Sequence, residues 1–185
     1  MQRCAWVKLS NPVYVTYHDE EWGVPVYDDR KLFEMLILEW AHAGLSWETI
    51  LMKRDTYRKA FDNFDVKKVA QYDEKKQSEL LLDLGIVRNK LKIKSSIQNA
   101  KAFLEIQKEF WSFSAYIWGM VDNKIVVNSF ENLWDYQTST SISDKISKDL
   151  KKRGMNFVWT TIIYAFMQAV GMVNDHGKWC FLCKK

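Results

Sequence analysis

Apolar positions in this chain recur at helical spacing almost from end to end. DDRKLFEMLILEWAHAG sets Leu32, Phe33, Leu36, Ile37 and Trp40 three or four residues apart, with Asp28 and Asp29 as cap candidates and Gly44 at its close. SWETILMKRDTYRKAF repeats the design, with Ser46 at an N-cap position and Thr49 three residues on. DVKKVAQYD and DEKKQSELLLDLG read as short amphipathic helices. NKLKIKSSIQNAKAFLEIQKEF reads as a longer one with Leu91, Ile97, Ala100 and Leu104 along one side. SFSAYIWGMV is a further apolar segment, and STSISDKISKDLKKRG opens on Ser/Thr caps and ends at Gly154. FVWTTIIYAFMQAVG is apolar nearly throughout and predicts a central buried helix. Ile125–Val127 is a weak strand signal and is read as loop. Both prolines, Pro12 and Pro25, precede the helical region, and no linker, repeat or low-complexity stretch interrupts it. The pattern predicts one all-α domain over residues 1–185, built from roughly eight to ten short helices.

Composition narrows the class. A length of 185 residues with 48% hydrophobic positions supports a packed core and excludes disordered and fibrous classes. No apolar run approaches the ~20 residues of a membrane helix. The first residues lack a signal-peptide core, so a cytoplasmic protein is expected. Disulfides are not expected there, and three cysteines cannot all pair within one chain. The net charge of +4 permits a nucleic-acid partner without demanding one. Nine tryptophans are several times the usual share, which points to a stacking pocket, a heavy aromatic core, or both.

Three groups of residues carry candidate chemistry. Cys4 and His18 lie near one end of the chain, His176 and Cys180 near the other. Zinc takes Cys and His ligands in a tetrahedron, and His-x3-Cys on a helical turn can reach one ion. Such a site would hold the two ends together. Spacing alone leaves open a set of unrelated thiols and histidines, and Cys183, in a C-x-x-C with Cys180, competes as a ligand. The second group is Glu39 in LEWAHAGLSW, with Trp47 past the turn and Tyr14 and Tyr17 flanking His18. A carboxylate walled by aromatic rings suits a flat ligand that is cationic or carries N–H donors. The competing reading puts Glu39 on a solvent-facing helix surface. The third is LLLDLGIVRNKLKI, in which one helix ends at Asp83–Leu84, turns at Gly85 and restarts near Asn89. Backbone N–H groups of such a turn can hold a phosphate, with Arg88, Lys90, Lys92 and Lys94 adding charge. An ordinary helix–turn–helix connection with solvated lysines is the alternative.

The stretches RCAWV, YHDEEWGVP, LFEMLILE, AGLSWETIL, GIVRNKLKI, TSTSISDKISKDLKKRG and TTIIYAFMQAVGMVNDH together resemble the bacterial 3-methyladenine DNA glycosylase I family, from Met1 to about Cys180. The resemblance implies an all-α helix-hairpin-helix glycosylase fold with a zinc site joining the termini, ligated by Cys4, His18, His176 and Cys180. It implies that Gly85 and Arg88 belong to the DNA-backbone hairpin, although Val87 replaces the usual second glycine. The implied activity is excision of 3-methyladenine from alkylated double-stranded DNA by flipping the nucleotide into a pocket, with free 3-methyladenine as product. Glu39 would read the base edge and is the catalytic candidate. Trp47 and Tyr17 would stack or pack on the base, Trp6 and Tyr14 would also line the pocket, and Trp22 would support it. The family lacks the aspartate that related hairpin glycosylases use to stabilise the sugar cation, and no lysine is placed as a Schiff-base nucleophile. A monofunctional enzyme without strand cleavage is therefore expected, working as a monomer.

This chain departs from the family at three positions. Trp40 and Trp159 stand where glycine is usual, and His42 where glutamine is usual. Two tryptophans facing the pocket would shrink or reshape it; facing each other, they would fill a packing gap. His42 would add a titratable donor or take over glutamine's structural bond. Two competing functions follow: a lesion- or structure-recognising DNA-binding protein with a blocked pocket, and a binder or hydrolase of cationic purine-like small molecules that needs no DNA.

Overall fold

The helix start signals are met by side-chain caps in the computed structural model, which describes residues 1–183. Helix α1 (Pro12–Thr16) is capped by Asn11 and runs into a π-helical turn, Tyr17–Glu21. Asp28 caps α2 (Asp29–His42), Ser46 caps α3 (Trp47–Met52), and α4 (Arg54–Ala60) follows directly. Asp65 caps α5 (Val66–Val69), Asp73 caps α6 (Glu74–Leu82) and Asn89 caps α7 (Lys90–Phe110). Ser112 caps α8 (Phe113–Gly119), and Thr140 and Ser143 form a reciprocal capping box on α9 (Ser141–Lys152). Helix α10 (Thr160–Ala169) starts at Trp159 without a side-chain cap.

Asp29 does something its position does not announce. Instead of capping its own helix, it accepts from the Phe113 and Ser114 N–H groups at the start of α8 and from Gln107. One carboxylate thereby ties α2 to the end of α7 and the start of α8.

Helix α2 is buried over ten successive residues, Leu32–Ala41, so neighbours cover it on every side. Helix α10 crosses it, and Ile163, Tyr164, Phe166 and Met167 pack into the same core. Two carboxylate–guanidinium contacts fix the flank: the largely buried Arg54 donates to Glu34 on α2 and to Glu21 in the π-helical turn, both at 2.7 Å. The Arg54–Glu34 pair is buried, and removing one partner of such a pair costs about 3–5 kcal/mol.

Two sequence expectations are corrected. Val126–Val127 is a strand, β1, paired in parallel with β2 (Val173–Asn174). The pairing was invisible because its partner lies far along the chain and each strand is only two residues long. Leu91 is not on the core side of α7; it is 65% exposed, and Ile93, Ile97, Ala100 and Phe103 face inward. Gly171, between α10 and β2, has φ +71°, and a Cβ there would lie 2.3 Å from the Val24 carbonyl carbon. Only glycine lets the two backbones approach that closely.

Candidate functional site

The π-helical turn explains how neighbouring residues serve two places. Its extra residue per turn, closed by Trp22 N–H on the Tyr17 carbonyl, buries both Tyr17 and His18. Tyr17 faces an aromatic cleft; His18 faces a cluster of sulfur and nitrogen atoms.

In that cluster Cys4, His18, His176 and Cys180 are all buried, and one ligand atom from each lies within 4.8 Å of the others. Cys180 Sγ is 3.4 Å from His18 Nε2 and 3.5 Å from His176 Nδ1, and Cys4 Sγ is 3.6 Å from His176 Nδ1. Tetrahedral coordination with ordinary zinc bond lengths sets sulfur and nitrogen ligands about 3.6 Å apart. The remaining ring nitrogens are engaged: His18 Nδ1–H donates to Asp19 at 2.7 Å, and His176 Nε2–H to the Trp22 carbonyl at 3.2 Å. Arg3 in turn holds Asp19 through two nitrogens. These outer contacts select the tautomers that aim Nε2 of His18 and Nδ1 of His176 at the thiols. Burial pushes the Cys4 thiol up to about 12, with Cys180 adding to the rise; a cation bound between the two sulfurs would favour the thiolates. Cys183 is partly exposed and not among the four. The donor set fits a metal ion.

The cleft beside it has a volume of about 350 Å³. Trp6, Tyr14, Tyr17, Trp47, Glu39 and His42 line it, and Trp22 closes its wall. Trp6 packs edge-on against Tyr14 and Trp22, with centroids 5.6 and 4.9 Å apart, and Tyr17 lies 5.3 Å from Trp47. Glu39 is only 4% exposed, which rules out a solvent-facing surface position. Its Oε2 is 3.7 Å from His42 Nδ1, too long for a hydrogen bond. Burial raises the Glu39 pKa, and His42 partly opposes the rise. Burial also holds the Tyr17 phenol well above its ordinary range, with Glu39 adding to the effect, so Tyr17 is a neutral hydroxyl here. The Trp47 indole N–H is buried with no acceptor among the described residues. The cleft thus offers rings and one strongly desolvated carboxylate.

Three lining residues went unread in the sequence: Tyr136, Ala165 and Gln168. Tyr136 comes from an irregular stretch with no periodic signal, and its hydroxyl reaches Cys4 Sγ at 3.9 Å. Gln168 donates to Asp175, which also accepts from Tyr164 and Asn128, each at 2.7 Å. Asp175 is fully buried and precedes His176, so this carboxylate locks the cleft wall to the Cys/His cluster.

The two tryptophans do not do what their volume suggested. Trp40 is 1% exposed in the core and lines neither this cleft nor Trp159; Trp159 is 49% exposed and lines a different one. Of the three departures, only His42 reaches the cleft.

The hairpin also differs from expectation. Gly85 N–H is taken by the Asp83 carboxylate, Ile86 N–H by the Asp83 carbonyl and Val87 N–H by the Tyr57 hydroxyl. Gly85 is required by close approach, since a Cβ would lie 2.7 Å from Thr56 Cβ. Lys92 turns inward and donates to the Ala41 and Ala43 carbonyls at 2.8 and 2.7 Å, completing the C-terminus of α2. Arg88, Lys90 and Lys94 remain exposed.

The methyladenine glycosylase family model matches residues 6–183. The chain belongs to that family. A family member from Escherichia coli (strain K12), DNA-3-methyladenine glycosylase 1, is 48% identical over 97% of this chain and 96% of its own length. A crystal structure of a 3-methyladenine DNA glycosylase I superposes with a TM-score of 0.96 at 47% identity, covering 99% of this chain and 100% of the other. A second family structure, from Staphylococcus aureus, concerns the structural basis of 3-methyladenine recognition. It superposes with a TM-score of 0.95 at 36% identity, covering 100% of this chain and 98% of that one. The all-α family fold therefore holds over essentially the whole chain.

Proposed function

We propose that this protein is a DNA-3-methyladenine glycosylase, a hydrolase that cleaves the N-glycosidic bond of 3-methyladenine in alkylated double-stranded DNA and releases the free base. The observation that carries this reading is the buried Glu39 carboxylate opening onto an aromatic cleft. A carboxylate kept there without a close donor needs a cationic or N–H-bearing partner. A base methylated at N3 is both flat and positively charged. Family membership and the relatives' named activity support the same assignment.

The chemistry follows from the walls of the cleft. The damaged nucleotide is extruded from the stack, at a cost of a few kcal/mol. Its base lies against Trp47 and Tyr17, with Trp6 and Tyr14 enclosing it, and Glu39 accepts from its N–H edge. Breaking the C1′–N9 bond returns the bonding pair to N9 and cancels the base's positive charge, so the leaving group departs neutral without a general acid. A water oxygen then bonds to C1′ and its proton goes to solvent. Orientation and exclusion of bulk water supply the acceleration, and Glu39 selects the base rather than acting as a strong base. Among the described residues no lysine lines the cleft, and Lys92 is committed to the end of α2; both support a monofunctional reaction without strand cleavage.

The Cys4, His18, His176 and Cys180 cluster is proposed to hold one structural zinc. Bound there, the ion supplies cross-linking of the two chain ends and no chemistry at the base. The protein would act as a cytoplasmic monomer, in one domain over residues 1–185, with Gly85 and Arg88 in the DNA-backbone hairpin. Among the described residues no helix is long and apolar enough to cross a membrane.

The test is base release. Methylated duplex DNA is incubated with the protein and the freed bases are identified by mass spectrometry. Release of 3-methyladenine in clear excess over 7-methylguanine is expected. No release from folded protein would overturn the assignment in favour of lesion binding without excision. The open cleft, with Trp40 buried elsewhere and Trp159 outside it, speaks against that second reading.

A further inference from the structure

A second cleft, of about 660 Å³, lies between α7 and the turn that precedes α10. Lys94 and Lys101 stand on its α7 side, and Phe157 and Trp159 on the turn. Leu91 lies at the α7 end nearest the hairpin, and Tyr72 lines the same cleft. The turn is held firmly on α7: the buried Asn99 side chain donates to the Asn156 carbonyl at 2.8 Å and accepts the Asn156 N–H at 2.7 Å. Val158 is also fastened, its carbonyl accepting from Ser147.

Three features of this cleft lack a structural explanation. Trp159 is 49% exposed and Leu91 65% exposed, large apolar groups left facing solvent. Lys94 and Lys101 are exposed and form no ion pair among the described residues. Among the described residues no carboxylate lines the cleft; the Asp62 carboxylate near Tyr72 accepts the Tyr72 hydroxyl and pairs with Lys68. Exposed rings interleaved with unpaired lysines are the footprint of a nucleic-acid contact.

Position gives the cleft its partner. Helix α7 begins at the hairpin, and α10 carries Ala165 and Gln168 of the base cleft. Most N–H groups of the hairpin turn are already used, and Asp83 places a negative charge within it. The hairpin turn therefore has few backbone donors to spare, which leaves room for phosphate contacts beyond it. We infer that the cleft binds the duplex arm flanking the flipped nucleotide, with Lys94 and Lys101 on backbone phosphates and Trp159 packed on a sugar. The inference builds on the glycosylase reading but is tested without excision.

The experiment measures binding to an undamaged duplex longer than the footprint, over a series of salt concentrations. The variants are K94Q/K101Q, the charge-reversed K94E/K101E and W159A; all three alter exposed side chains, and thermal melting checks their folding. Each lost phosphate contact lowers the slope of log affinity against log salt by about 1. K94Q/K101Q should therefore lower it by about 2, with a larger loss of affinity for K94E/K101E. W159A should weaken DNA binding several-fold and leave binding of free 3-methyladenine unchanged. A wild-type salt slope and DNA affinity in both lysine variants would overturn the inference, leaving the face to a protein partner or to solvent. Base release by the wild type is scored separately. Loss of release with altered slopes refutes the glycosylase reading alone; release with unaltered slopes refutes the DNA contact alone.

Discussion

Glu39 is the residue on which stability and activity pull apart. Its carboxylate has lost its water and has no close donor, so folding favours the protonated acid while a cationic base favours the ion. The raised pKa fixes the sign of the pH dependence. The stabilising contribution of the protonated form is present at low pH and is lost as pH rises through the raised value. Glu39→Gln keeps the shape and removes the charge. Its melting temperature should equal or exceed that of the wild type at neutral pH and converge with it in acid, whereas binding of the base should fall by about tenfold or more, the scale of a hydrogen bond to a charged group. A variant less stable than wild type at neutral pH would show that the carboxylate has a partner the geometry does not provide. Excision by the wild type should also decline on the acid side at a pH above that of an ordinary glutamate, about 4.3. The pH dependence of kcat/KM, which reports the free enzyme, would show it.

At the scale of elements, the end of α2 is the joint that matters. Glu39 and His42 stand on its last turns, and its terminal carbonyls are satisfied by Lys92 from α7. Lys92→Met removes the donors and keeps most of the stem. It should cost about 1–2 kcal/mol in denaturant unfolding and lower excision more than DNA binding, because it frees the wall of the base cleft and leaves the exposed lysines in place. The other sensitive joint is Gly171. Gly171→Ala combines a positive φ with a 2.3 Å approach to the Val24 carbonyl carbon, and a loss of about 3 kcal/mol or more is expected. Chemical denaturation measures it; a loss under about 1 kcal/mol would mean that the segment relaxes freely.

For the whole molecule, the Cys/His cluster and the aromatic cleft share a wall. Trp6 packs on His18 at 5.3 Å and Trp22 on His176 at 4.7 Å, both edge-on, and Tyr136 touches the cleft and Cys4 alike. Removing the proposed zinc with a chelator should therefore lower the melting temperature and weaken base binding together. Metal analysis of protein purified without chelator should give one zinc per chain. Asp19→Asn leaves all four ligands but loosens His18, and zinc affinity should fall by about 10–100-fold. Unchanged base binding in metal-free protein that remains folded would show that the wall stands without the ion.

What the sequence determined by itself is local or chemical. Asp28, Ser46 and Thr140 announce their helices because a cap needs only the next three residues. The apolar period announces the buried stretch of α2, and the run of matching motifs announces the family. The types of Cys4, His18, His176 and Cys180 suggested a common ion, yet only the fold brings atoms from both ends of the chain within reach of one another. Tertiary structure alone decided the rest. Periodicity tells which face is apolar but not what lies against it, so it could not bury Glu39, turn Lys92 inward or leave Leu91 in solvent. It could not pair Val126 with Val173, gather Tyr136, Gln168 and Asp175 behind the cleft, or send Trp40 to the core and Trp159 to a second cleft. Each of those outcomes depends on a partner dozens of residues away, and a partner's position is set by the packing of the whole chain.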